Sequence, residues 1–214
     1  MKSGDVQDLV DRISRDLPKS SWPTWPGGWR GELEAALLDS VFSIRARYGG
    51  TSSGVRAVVG RWRTHRCEPL DDLLVLSEFA ANPYDLVEIL GSRQRLSGGL
   101  TKAGGAAAAA LSLVGVGVRH ACDVTGSDPE RDAWCSVKGL SEVTWSYVLM
   151  LLGVPRVKAD VMVRRFVGST VGRDTSASEA RSLVMAAADN LGVDATDLDH
   201  AIWSWQRQRR AAGP

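Results

Sequence analysis

Apolar residues recur along most of this chain at the three- and four-residue spacing of a helix that buries one face. Val6, Leu9, Val10, Ile13 and Leu17 trace the first such face, which Pro18 stops. Ser20 to Gly28, with its prolines, glycines and tryptophans, reads as an ordered connector. Leu33, Leu37, Val41, Ile44 and Tyr48 predict a long second helix ended by Gly49-Gly50, and Val55, Val58, Val59 and Trp62 a third. Leu73 to Phe79 and Tyr84 to Leu90 give two short helices, the latter opened by Asn82-Pro83. Lys102 to Val118 predicts a helix through its alanine run, although Val114, Val116 and Val118 alternate as in a strand. A short helix from Asp128-Pro129, a helix from Glu142 to Leu152, and then Val161 to Val171, Ser176 to Leu191 and Asp197 to Arg209 complete the series. No strand pair or internal repeat emerges, so the expected fold class is all-α.

Composition narrows the picture. A chain of 214 residues, 44% hydrophobic and 24% charged, has enough apolar mass for a core and is not disordered. The apolar run Ala106 to Val118 is too short to span a bilayer, and the Met-Lys-Ser-Gly-Asp start lacks the apolar centre of a signal peptide. With Cys67, Cys122 and Cys135 an odd set, the expectation is a soluble cytoplasmic protein with free thiols, a monomer with no membrane partner.

The net charge of +1 hides an uneven distribution. No acid lies between Asp39 and Glu68, where Arg45, Arg47, Arg56, Arg61, Arg63 and Arg66 fall. Arg156, Lys158, Arg164, Arg165 and Arg173 form a second basic cluster around Asp160, and Arg207, Arg209 and Arg210 a third. This suits either a polyanion-binding face or solvated helix surfaces. No phosphate loop with Gly-Lys-Ser/Thr occurs. His65, His120 and His200 are scattered, with only His120 and Cys122 close, so no metal site is expected.

The segment from Trp134 to Arg173 carries the chemistry. It reads helix, a Gly-containing turn (Lys138-Gly139-Leu140-Ser141), helix, the loop Gly153 to Ala159, and Asp160 opening another helix. A turn of this kind presents backbone N–H groups that grip a phosphate without reading a base. Gly139-Leu140-Ser141-Glu142-Val143-Thr144, the apolar helix to Leu152, Gly153-Val154-Pro155 and Asp160-Val161-Met162-Val163-Arg164 together resemble the helix-hairpin-helix DNA glycosylase superfamily. The resemblance covers about Val137 to Arg173; Lys102-Ala103 and Leu37-Leu38 upstream are compatible with it.

That resemblance implies two helical lobes with a DNA cleft between them and the hairpin near residues 131–152. The central lobe would span about 50–150 and the discontinuous second lobe about 1–49 and 151–214. It also implies a monofunctional N-glycosylase acting on double-stranded DNA that holds a damaged or modified base. Asp160 is then the catalytic carboxylate, stabilising charge on the deoxyribose and orienting water; read by itself it is a helix N-cap, a role that can coexist with the first. Lys138, Gly139, Ser141, Thr144, Arg45, Arg47, Arg164 and Arg165 are the candidate backbone contacts. Asp39, Phe42, Ser43, Tyr48 and Trp145 are the base-pocket candidates, with core packing the default for the aromatics and a helix-surface carboxylate the alternative for Asp39. Tyr147 is a further aromatic of that kind. Trp22, Trp25 and Trp29, and Leu198, His200, Ile202, Trp203 and Trp205 in the last helix, read as packing residues.

The departures from the family pattern are specific. Lys138 replaces a proline and Ser141 a glycine. Val143 stands where bifunctional members carry a nucleophilic lysine, so no Schiff base is expected. No cysteine follows Cys135, so no iron–sulfur cluster and no other cofactor is expected. Substrates consistent with this reading are uracil, alkylated or oxidised purines and hypermodified cytosine, including glucosylated hydroxymethylcytosine of phage DNA, in repair or antiviral defence. A non-catalytic DNA-binding module and a helical adaptor are the competing readings.

Overall fold

The computed structural model describes residues 3–24, 27–46 and 53–211. Among them there are eleven α-helices and no strand, so the protein is all-α. The chain divides into two compact units, Gly28–Gly153 and a discontinuous one of Met1–Gly27 with Val154–Pro214. Trp25, Arg47, Tyr48 and the expected Gly49-Gly50 stop lie outside the described residues.

The unit of Gly28–Gly153 holds α2 (Leu33–Phe42), α3 (Val55–Arg66), α4 (Leu73–Ser77), α5 (Tyr84–Leu90), α6 (Lys102–Gly115), α7 (Asp128–Cys135) and α8 (Glu142–Leu151). Helix α6 lies at its centre, against α2, α4, α5 and α7. Its small residues permit that crowding: Ala103, Ala106, Ala107, Ala109 and Ala110 have no exposed surface, and a Cβ on Gly105 would fall 2.5 Å from Leu96 Cδ1. Thr101 caps it by accepting from Gly104 N–H at 3.0 Å. The helix stops at Gly115, short of the expected Val118, because Gly117 turns left-handed at φ 91° and sends Val118 N–H back to Leu113 O.

All of α2 is buried. It includes the carboxylate of Glu34, which accepts from Trp62 Nε1 at 2.6 Å, the Asp72 N–H at 2.9 Å and Arg66 Nε at 3.2 Å. A buried carboxylate is tolerated only with such partners. These bonds tie residues 28–46 to α3 and the strand-free segment before α4. The expected grouping of residues 1–49 in one lobe therefore differs from the observed units, in which α2 belongs with Gly28–Gly153. Helix α2 also ends earlier than its apolar spacing predicts. The nearly buried Lys102 ammonium donates to Phe42 O, Ile44 O and Gln94 Oε1 at 2.9, 2.7 and 2.8 Å, satisfying the carbonyls of an ended helix. Burial pushes the Lys102 pKa down.

The discontinuous unit holds α1 (Ser3–Asp16), α9 (Val161–Val171), α10 (Ala177–Leu191) and α11 (Ala195–Ala211). Leu9, Ile13 and Leu17 bury against Val163, Phe166, Leu183, Val184, Leu198 and Ile202 in one core, flanked by Trp22 and Trp205. Arg12 extends over the Phe166 ring at 4.3 Å and donates to Phe166 O, Ser169 Oγ and Thr170 Oγ1, fastening α1 to the end of α9.

Candidate functional site

The hairpin is formed by α7, the turn at residues 136–141 and α8. Gly139 takes φ 101°, and a Cβ there would meet Leu96 Cβ at 2.8 Å, so only glycine fits. The turn is locked by one hydroxyl. Thr144 Oγ1 accepts from Ser141 N–H and Trp134 Nε1, both at 2.9 Å, and donates to Ser141 O at 2.7 Å. A hydroxyl has one proton and two lone pairs. The capacity of the Thr144 hydroxyl is therefore spent inside the turn. Lys138 and Ser141 are exposed at the turn, the Lys138 methylenes lying over Gly98.

The base-pocket candidates on α2 and α8 have other surroundings. Asp39 is fully buried and accepts from Trp29 Nε1 at 2.9 Å and Ser43 Oγ at 3.1 Å, which removes the helix-surface alternative. Phe42 and Trp145 are each 2% exposed and so belong to the core rather than to an open pocket wall, as does Tyr147. Trp145 stacks obliquely on Trp134 at 5.8 Å, and its Nε1 has no hydrogen-bond partner among the described residues. Arg45 is exposed at a left-handed φ of 51° just past α2.

Asp160 lies in the discontinuous unit as the N-cap of α9. Its Oδ1 accepts from Met162 N–H at 2.7 Å and Val163 N–H at 3.2 Å, and the side chain stays half-exposed. The preceding residue, Ala159, is buried in the left-handed region at φ 42°. A non-glycine residue there costs about 1–2 kcal/mol, a strain that persists only when neighbours enforce it. Past Asp160, Val161 is 59% exposed. With Arg164, Arg165, Gly168, Arg173 and Thr175 it lines an open groove along α9. Arg164 donates through Nε to Thr175 O at 2.8 Å, and Arg173 pairs with Asp5 and Glu179. Arg165 is exposed, with no such tie among the described residues.

Sequence reading missed Asp199 of α11. It is 5% exposed and accepts from Lys158 N–H at 3.1 Å, in the loop that leads to Asp160. Burial, then the Asp160 charge, raise its pKa from 3.8 to about 7, with Lys158 pulling the other way. The available signal was a carboxylate set between Leu198 and Ala201-Ile202 on a core-facing stripe.

Among the described residues no cluster of His, Cys, Asp and Glu could hold a metal ion, and no helix is long and apolar enough to cross a membrane. All three cysteines are unpaired. The fold and these sites define an all-α protein with a glycine-centred hairpin in one unit and a strained, carboxylate-bearing turn in the other. The family model for a domain of unknown function, DUF8548, matches residues 7–207, and the chain belongs to that family. No curated protein and no solved structure matches the chain.

Proposed function

We propose that the protein is a monofunctional DNA N-glycosylase that hydrolyses the bond between deoxyribose and a damaged or modified base. The observation that carries this reading is Asp160: a half-exposed carboxylate on a strained turn, next in sequence to Val161, which lines a groove with Arg164, Arg165, Arg173 and Asp174. In the reaction the target nucleotide is extruded from the stack. The glycosidic bond breaks with its electron pair leaving on the base, and the Asp160 carboxylate stabilises the cationic sugar. Water adds to the sugar carbon, its proton passes to the departing base, and an abasic site remains. Two backbone N–H groups at the N-terminus of α9 hold one oxygen of the Asp160 carboxylate in place and leave its other oxygen for the sugar. Val143 supplies no amine, so the strand is left uncut. The hairpin turn and Arg165 provide phosphate contacts, and the DNA cleft implied by the family resemblance is part of the same proposal.

Incubation with genomic DNAs of differing modification, followed by mass spectrometry of released bases, tests it. Asp160→Asn should lower release by about a hundredfold or more while DNA binding persists. Equal release by both proteins rejects the mechanism. The N-cap bonds of Asp160 favour a second reading, a DNA-binding module without chemistry; it predicts salt-sensitive binding and no abasic sites on any DNA.

A further inference from the structure

The loop from Val154 to Asp160 is fastened to α11 at two points. Arg156 N–H donates to Thr196 Oγ1 at 3.4 Å, and Lys158 N–H to Asp199 Oδ1 at 3.1 Å. Thr196 and Asp199 stand three residues apart, on one face of the helix. The Ala159 N–H also acts on the Asp199 carboxyl, pulling its pKa down. The buried carboxyl group thus bonds the residue before the strained Ala159 and attracts Ala159 itself. A left-handed alanine needs that restraint, because nothing in its own chemistry favours the conformation.

We propose that Asp199 is a positioning residue for Asp160: its buried carboxyl group clamps the Lys158–Ala159 backbone in the left-handed turn that delivers Asp160 to the N-terminus of α9. The role rests on the glycosylase reading of Asp160, although the clamp itself does not. The charged groups acting on Asp199 are Asp160 and Lys158; next to it on α11, His200 is pushed by burial towards its neutral form, with Asp197 opposing. Burial first, and the Asp160 charge second, make the Asp199 carboxyl hold its proton more readily than a solvated one.

The test uses the full chain with Asp199→Asn, which keeps an acceptor of the same shape, and Asp199→Leu, which has none. Amide hydrogen exchange at Lys158 and Ala159, exchange at Met162 and Val163, whose N–H groups Asp160 caps, and base release are measured on each. In the leucine variant exchange at Lys158 and Ala159 should quicken about tenfold or more, and exchange at the two capped amides should quicken with it. Its kcat for base release should fall about tenfold with KM little changed. The asparagine variant should stay within about threefold of wild type in exchange and kcat. Unchanged exchange in Asp199→Leu overturns the clamp, and so does equal damage in Asp199→Asn. Quickened exchange at Lys158 and Ala159 with unchanged exchange at Met162 and Val163 and an unchanged kcat overturns the positioning role. If the leucine variant does not fold, Asp199→Ser, too short to reach the Lys158 N–H, replaces it under the same criteria. If wild type releases no base from any DNA, the glycosylase reading fails, and exchange at the four amides still decides the clamp.

Discussion

Two turns lead into helices at the sites singled out here, and each has a residue at positive φ, yet they are held differently. The hairpin turn before α8 uses glycine at φ 101° and closes with bonds from within residues 134–144. The turn before α9 uses alanine at φ 42° and depends on Asp199, 41 positions from the amide it accepts. The first turn is at ease with its own residues; the second carries strain that a distant buried group enforces. Strain of that kind concentrates where a side chain must be presented in one orientation. Of the two turns, the one that presents Asp160 is therefore the one built under strain.

The largest expected contrast is in pH dependence. Asp199 titrates near 3.8 when unfolded and at about 7 when folded, so the folded protein binds the extra proton between those values. Stability from this group is full below about pH 4 and is lost as pH rises through about 7. His200, whose pKa burial lowers, acts in the opposite sense, so the informative quantity is a difference. Urea unfolding of wild type and Asp199→Asn across pH 4–8 should show the wild type losing stability relative to the variant as pH rises. A parallel pair of curves would show that Asp199 is not the group being titrated, and the contrast between the turns would lose its electrostatic half.

At the hairpin, Gly139→Ala sets a Cβ against Leu96 in a backbone region hostile to side chains. Unfolding free energy should drop by about 3 kcal/mol. Thr144→Val should cost somewhat less, about 2 kcal/mol, by leaving the indole N–H of the fully buried Trp134 without an acceptor. A loss under about 0.5 kcal/mol for Thr144→Val would mean that the lock is replaced by water.

Much of this was open to sequence reading where the cause is local. Gly139 announces a positive-φ turn, and Asp160 and Ser176, followed by Gly172 and Gly192, bracket α9 and α10 within a residue or so. Features set by remote partners were hidden. The end of α2 depends on Lys102, 60 positions on, and its apolar spacing alone runs past Phe42 towards Tyr48. Asp39 reads as a pocket acid or a helix-surface one until Trp29 and Ser43 are found bonded to it in the core. Asp199 is one more acid in an acidic helix start until the Lys158 amide is found on it. Periodicity reports which face is covered and says nothing of which polar groups meet beneath it.

The smallest effect is the sharpest test of the comparison. Ala159→Gly relieves a left-handed alanine, a gain of about 1 kcal/mol. Against that stand the extra freedom of glycine in the unfolded chain and the loss of a buried methyl group, each of similar size. The net change in stability should lie within about 1 kcal/mol of zero, against the clear loss from Gly139→Ala. Function should respond differently from stability. With glycine at position 159 the turn samples other conformations whenever the Asp199 bond opens, so base release should fall several-fold while the melting temperature hardly moves. Were base release to stay at the wild-type rate with the turn so loosened, the strain at Ala159 would have no bearing on how Asp160 is presented.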